Sequence, residues 1–573
     1  MKIRRSSFLS LLLALTLSLP ALIYGQQGRT SRPSTDNPPN PPSASGRTAR
    51  RTTPPSTEAV ERDVAEALTV IQDNYIDGPK LDYNNVFKSS ITGMLRALDP
   101  HSDYFDAAEY EAFRTEQRSE YFGIGATIGD LTEGDRTETY IRATFERAPA
   151  HRAGLRFGDH IVEVDGKSMR GKPYPEVRQH LLGPRGSVVK VTVEHPNGQV
   201  ETVQITRDAV PQPSIPEVYM IRPGVGYVAM TGGFNFTTAD EFNAALDNLQ
   251  AQGMKMLVLD LRGNRGGLLI QAVRVANTFL QRGQLIVTQK GRIEGSSEVY
   301  RAINETPDTT PLVVLVDRST ASAAEIVAGA LQDHDRALIV GETSFGKGLV
   351  QLPYQVGHGS ALLLTIAKYF TPSGRLIQRD YTNAGFYDYY TRGGSLNSNT
   401  PQQQRPPAPV GPESRTDTGR TVYGGGGITP DEAVTPRTVT PAQQRLVDPV
   451  FAFALELTAG RIQGFDAYQV QRAIDFDRDL RATDYPMTDA LYKSFKDFVA
   501  RKPAFKLTPA QLDRDRAYIE LRLRYELATA AYGAITSLQV FNTDDPQIAR
   551  AVDLLPRARE LALAAQRIRN PSE

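Results

Sequence analysis

The chain has 573 residues, 65 Lys+Arg against 65 Asp+Glu, and 40% hydrophobic residues. That length exceeds one ordinary domain, and the balanced charge offers no global field for nucleic acid or an anionic membrane. There is no cysteine, which excludes disulfides, Cys-metal sites, a Cys nucleophile and a lipid-modified Cys anchor.

Residues 1–25 join a basic start, MKIRR, to the apolar run FLSLLLALTLSLPALIYG. This is the pattern of a secretory signal peptide. No clean A-x-A precedes Gln26, so an uncleaved membrane anchor stays open as the alternative. Either way the expected location is outside the cytoplasm, periplasmic or attached to the cell envelope. Residues 26–56, rich in Pro, Ser, Thr and Arg, read as a disordered linker.

At 57–117 the period becomes helical, with Val60, Val64, Leu68 and Ile71 on one stripe. Residues 118–208 switch to short strands, with hairpins at Asp165-Gly166 and Asn197-Gly198 and one helix at 174–182. A partly open barrel is expected there. Residues 209–438 alternate apolar strands (KMLVLDLR, PLVVLVDRS, ALIVGE) with helices, which predicts a parallel sheet with crossovers. LVQLPYQV and SALLLTIAKYF add a hairpin. The low-complexity stretch 385–420 is expected to be a surface loop or disordered insertion. From 439 to 573 the chain is helical again. Thr440-Pro441, Thr508-Pro509 and Asp545-Pro546 each place a cap residue before a first-turn proline.

Within the α/β segment, GETSFGKG (341–348) imitates a phosphate-binding loop. It lacks the Ser or Thr that holds Mg²⁺, and β-like sequence follows instead of a helix, so both requirements fail. Lys347 suits a different task. Burial between glycines lowers the pKa of an amine and lets it act as a base. Its nucleophile would be Ser322, which ends a strand-to-helix turn and opens the helix AAEIVAGAL. Unpaired N–H groups at that helix start, Ala323 first, suit an oxyanion. The plain alternative is a capping box, because Ser322-x-x-Glu325 also fits that motif. Gly266 and Gly267 in DLRGNRGG offer bare N–H groups at the sheet edge, as a second oxyanion donor or as a flexible turn. Gln351 shares a strand face with Lys347 and is placed to orient it. A Ser–His–Asp scheme with His334 and Asp333 fails on distance, since they lie roughly 18 Å along the helix from Ser322.

Seven segments, among them LDPHSDYF, YFGIGATIG, LDLRGNRGGLL, STASAAEIVAGALQDHDRALIVGETSFGKGLVQ and GGGGITPD, resemble in order the C-terminal processing peptidases, or tail-specific proteases. The resemblance covers residues 60–435. It implies a PDZ domain at 118–208 and a crotonase-like α/β protease core at 209–438; with the N-terminal helical unit before them and the C-terminal helical extension, which lies outside the resemblance, after them, the chain is expected to be multidomain α+β. The resemblance also implies a serine endopeptidase with Ser322 as nucleophile, Lys347 as base and Gln351 as third residue. The oxyanion hole would comprise Ala323, Gly266 and Gly267, and no metal or cofactor is expected. The loop Phe122, Gly123, Ile124, Gly125 would capture the terminal carboxylate of a substrate tail, which then adds a strand to the sheet. Substrates would be exported or membrane proteins with apolar C-terminal tails. The helical extension is the candidate surface for a homo-oligomer or an activating adaptor. Two rivals remain: a PDZ adaptor on an inactive protease scaffold, and a crotonase-like acyl-CoA enzyme, which would leave the PDZ module unexplained.

Overall fold

The computed structural model describes residues 56–569, apart from 119, 383–388, 391–410, 471–472 and 477. The signal-peptide and linker readings therefore lie outside the described residues, as does most of the low-complexity stretch. Among the described residues, no helix is long and apolar enough to cross a membrane.

The chain divides at Leu98. The smaller unit carries the helices Thr57–Asn74 and Tyr83–Arg96. Ser56 and Asp82 cap them by accepting N–H bonds from the first turn. The stripe of Val60, Val64, Leu68 and Ile71 forms as expected, but it is exposed.

In the larger unit, five antiparallel strands follow the order Ala126–Glu133, Arg136–Thr144, His160–Val164, Val188–Glu194, Val200–Thr206. They enclose a core of Ile141, Leu155, Ile161, Val177, Val191 and Ile205. Both Asp-Gly and Asn-Gly turns fall where expected, with Asp165, Gly166 and Gly198 at positive φ.

The α/β segment builds a six-stranded sheet in the order Glu217–Arg222, Val225–Ala229, Met256–Asp260, Leu312–Val316, Leu338–Gly341, Glu432–Ala433. All neighbours after the first pair run parallel. Leu312–Val316 is LVVLV and buried throughout, as a strand covered on both faces must be. The helices Thr238–Ala251, Leu269–Phe279 and Ala323–Asp333 cover one face. A second sheet pairs Ala361–Phe370 with Asp103–Phe105, Leu285–Gly291 and Leu349–Gln355.

One expectation is corrected. Within 385–420, Glu413–Arg415 is a strand paired with Thr421–Tyr423. Asp417 binds His334 Nδ1, and Arg420 reaches Asp335 and Asp431. Charged residues amid prolines looked like solvated loop, whereas here they satisfy buried partners.

In the C-terminal region, Thr440, Thr508 and Asp545 do cap their helices. The helix Arg516–Asn542 places Leu523 and Leu527 in a cluster with Val447–Thr458 and with Phe157, in the turn before the strand His160–Val164. The helix Pro546–Arg569 lays Ile548, Ala551, Leu554, Leu555 and Ala558 on Val258, Val313 and Leu338, covering the other face of the parallel sheet.

Candidate active site

Three parallel strands end at one edge, and the loops that follow carry the candidate residues. Leu312–Val316 leads to Ser322, Leu338–Gly341 to Lys347, and Met256–Asp260 to Gly266. Ser322 has φ 56° and ψ −117°, a conformation costly for a residue with a Cβ. A strained serine at the mouth of a buried helix is the geometry of a presented hydroxyl. The cap that holds it runs through Glu325, whose Oε2 accepts the Ser322 N–H at 2.8 Å.

Glu325 is fully buried, and sequence reasoning gave it only the capping role. Besides Ser322 it accepts the N–H of Gly346 at 2.7 Å, the N–H of Lys347 at 2.9 Å and the Ser344 hydroxyl. One carboxylate thus ties the serine turn to the lysine loop. Burial raises its pKa, and the four donors pull it back in part. The only sequence signal was the glutamate of S-x-x-E, which fits a plain cap equally well.

Lys347 is half-buried, and its Nζ donates to Gln351 Oε1 at 2.6 Å. Gln351 Nε2 donates in turn to the His101 carbonyl at 2.5 Å, which fixes the amide. The pairing is as expected, but its cause differs. Lys347 precedes the Leu349–Gln355 strand, and a bulge falls between Val350 and Gln351, so the two residues do not meet by sharing one strand face. Burial lowers the Lys347 pKa, and the Asp99 and Glu325 carboxylates oppose that only in part.

His101 packs its ring against Phe345, Tyr389 and Tyr390, with Nε2 2.6 Å from Tyr389 Oη. Burial first, then Lys347, lowers its pKa to about 3, so it stays neutral. His101 thus sits in an aromatic cluster, and its backbone contact with Gln351 carried no sequence signal. His334 is occupied by Asp417 and the Leu285 carbonyl.

The Gly266 backbone lies against the serine. A Cβ there would stand 2.7 Å from Ser322 Cβ and from the Ala321 carbonyl, at φ +95°. The Gly266 N–H donates to Asn264 Oδ1 at 2.9 Å. Gly267 is exposed at φ +139°, its Cα held near Phe234. Ala323 is buried at the first position of its helix. Gly266→Ala should therefore push the turn off Ser322 and cost about 10²-fold in kcat. Steady-state hydrolysis alongside a thermal melt would check this, and full activity would mean the turn is not needed close to the serine.

The carboxylate-loop candidates divide. Phe122 and Gly123 lie in the strand Glu120–Gly123, paired with Ala209 and Asp208. Ile124 and Gly125 follow it, Gly125 at φ +71° against Ala148. The Ala126–Glu133 strand after them is the edge of its sheet, next to the helix Tyr174–Leu181.

A strained serine turn and a lysine loop joined through one buried carboxylate, at the carboxyl ends of parallel strands, are an arrangement that a serine-type hydrolase can use. The family comparisons agree: residues 224–384 match the model of peptidase family S41, and 145–195 match a PDZ domain. The carboxy-terminal-processing protease of Bartonella bacilliformis is 35% identical over 314 residues, 54% of this chain and 70% of that one. The carboxy-terminal processing protease CtpA of Bacillus subtilis is 36% identical over 303 residues, 52% of this chain and 63% of that one. Among solved structures, the photosystem II D1 C-terminal processing protease is 31% identical, covering 55% of this chain and 89% of that one at a TM-score of 0.32. The chain belongs to peptidase family S41, with a PDZ domain, and is a serine-type peptidase.

Proposed function

We propose that the chain is an endopeptidase using a Ser322/Lys347 dyad to cleave exported or membrane-associated proteins, whose apolar C-terminal tails its PDZ domain recruits. The observation that carries this reading is half-buried Lys347, whose amine is held by Gln351 and whose backbone N–H is tethered through Glu325 to the Ser322 turn. Neutral Lys347 takes the Ser322 proton, and Ser322 attacks the scissile carbonyl. The Ala323 N–H and the Gly266–Gly267 turn face the developing oxyanion, where Gly266 exchanges its Asn264 bond for the substrate. Lys347 gives its proton to the leaving amine and then activates water for deacylation. The edge strand Ala126–Glu133 takes up the substrate tail by strand addition. A crotonase-like core and a periplasmic or cell-envelope location complete the reading. Support for the location comes from residues 1–25 and their basic-then-apolar pattern.

The test is a pH–rate profile on an unfolded protein with an apolar C-terminus, with Ser322→Ala as control. The active form is the neutral amine, and burial lowers its pKa below the ordinary 10.5. The rate should therefore rise with pH through a midpoint below that value. Activity that appears only near pH 10 would sink the buried-amine base. Binding without cutting, across the whole range, would favour the adaptor reading.

A further inference from the structure

The turn that presents Gly266 begins two residues after the end of its strand, at Arg262. Arg262 is gripped from two sides. Its guanidinium binds Asp260 through Nε at 3.0 Å and through a second nitrogen at 2.6 Å, and Asp260 is fixed by the Tyr227 hydroxyl at 2.7 Å. Its remaining nitrogen reaches out of the protease segment altogether. It donates to Asp545 Oδ2 at 2.7 Å and to Gln547 Oε1 at 2.8 Å, both in the C-terminal helical extension. Gln547 is fully buried and donates its own amide to the Val434 carbonyl.

Asp545 divides its two oxygens. Oδ1 caps the helix Pro546–Arg569 through the Gln547 and Ile548 N–H groups, while Oδ2 takes the arginine. On the other side of Arg262, Asn264 accepts the Ala321 N–H at its carbonyl and the Gly266 N–H at its side chain. A short chain of hydrogen bonds and backbone thus runs from the extension to Gly266 and Ala321. The preceding helix, Arg516–Asn542, continues that path. It ends with Asn542 donating to Glu217 and Tyr219 of the protease sheet, and its earlier turns pack on the Arg136–Thr144 strand of the PDZ sheet.

We infer that the C-terminal extension is a clamp on the oxyanion turn, with Asp545 and Gln547 acting as positioning residues through Arg262. This rests on the reading of Gly266 and Gly267 as the oxyanion turn. It gives 439–573 a part in catalysis without any contact with substrate. A bidentate arginine set between two acidic partners holds position and angle together, which a lone hydrogen bond does not.

The discriminating variant is Asp545→Asn in the full chain. Asparagine keeps the Oδ1 acceptor and so keeps the helix cap, but an NH₂ group replaces the oxygen that receives Arg262. The clamp predicts that kcat falls about tenfold while KM holds, since misplacing a donor by a fraction of an ångström is enough. Arg262→Lys, which loses the fork, should fall as far. Hydrogen exchange in the free protein reads the clamp without reference to activity. Amides of 261–267 should exchange faster in Asp545→Asn while those of 548–569 stay at wild-type rates. Unchanged exchange in 261–267 would overturn the clamp even if the kinetics moved. Faster exchange across 546–569 would also overturn it, by showing a structural cap instead. If the turn loosens but kcat is unaffected, the role of Asp545 in catalysis is overturned. Failure of the Ser322 nucleophile reading shows separately, as cleavage that survives Ser322→Ala.

Discussion

Under the proposed dyad, Lys347→Ala is expected to lower kcat on an unfolded-protein substrate by about four orders of magnitude, with KM almost unmoved. Lys347→Arg does no better. A guanidinium stays protonated at every working pH, and no neutral base remains to take the Ser322 proton. The double variant Ser322→Ala, Lys347→Ala is no slower than either single one, because residues that act as a unit lose their function together. Stability moves the other way. The amine pays to sit half-buried, which is why its pKa is lowered. Lys347→Met keeps the stem, removes the desolvated charge and melts at or above the wild-type temperature while remaining inactive. Substrate turnover and a thermal melt on the same samples decide this. Appreciable turnover by Lys347→Ala would require another base, and none of the described histidines contacts Ser322 to supply one. His101 is neutral and bound to Tyr389, and His334 is spent on Asp417.

Glu325→Ala is expected to destabilise the fold by about 3–5 kcal/mol and abolish measurable turnover. The arithmetic follows from its partners. Three backbone N–H groups, of Ser322, Gly346 and Lys347, lose their acceptor in a buried site, at about 1–3 kcal/mol each, with partial relaxation offsetting the sum. The Ser344 hydroxyl, which also holds the Ile428 N–H at 2.6 Å, loses its own acceptor. The loops bearing nucleophile and base then move independently, so turnover falls further than stability alone explains. Glu325→Gln keeps one carbonyl acceptor and should lie between wild type and Ala in both chemical denaturation and kcat. A Glu325→Ala protein that melts normally and cuts normally would show that the carboxylate ties nothing together.

Much of this was legible in the chain. The parallel sheet announced itself in LVVLV and MLVLD, because strands covered on both faces cannot alternate. The caps before Pro441, Pro509 and Pro546 read correctly because capping is a local matter of a few residues. Ser322, Lys347 and Gln351 could be named from spacing and resemblance, and the structure brings Lys347 and Gln351 into contact. What could not be read was long-range. Glu325 looked like a cap because its bonds to Gly346 and Lys347 depend on the return of a later strand. The His101 carbonyl gave no signal, since a backbone oxygen has no sequence signature, and Asp545 was legible only as a cap because its bond to Arg262 is long-range. The Glu413–Arg415 strand was hidden in a composition that usually stays unfolded.

The support for the amine joins residues 250 positions apart, Gln351 to His101, and the grip on the turn that carries Gly266 joins positions 283 apart, Arg262 to Asp545. Contacts of such sequence separation form late, after the local helices and hairpins are in place. A chain still being synthesised therefore holds Ser322 and Lys347 before Gln351 meets His101 and before Arg262 meets Asp545. Under the proposed dyad, the order of folding would then act as a timer: cutting power would wait for the last of these contacts, when the whole polypeptide has closed on itself.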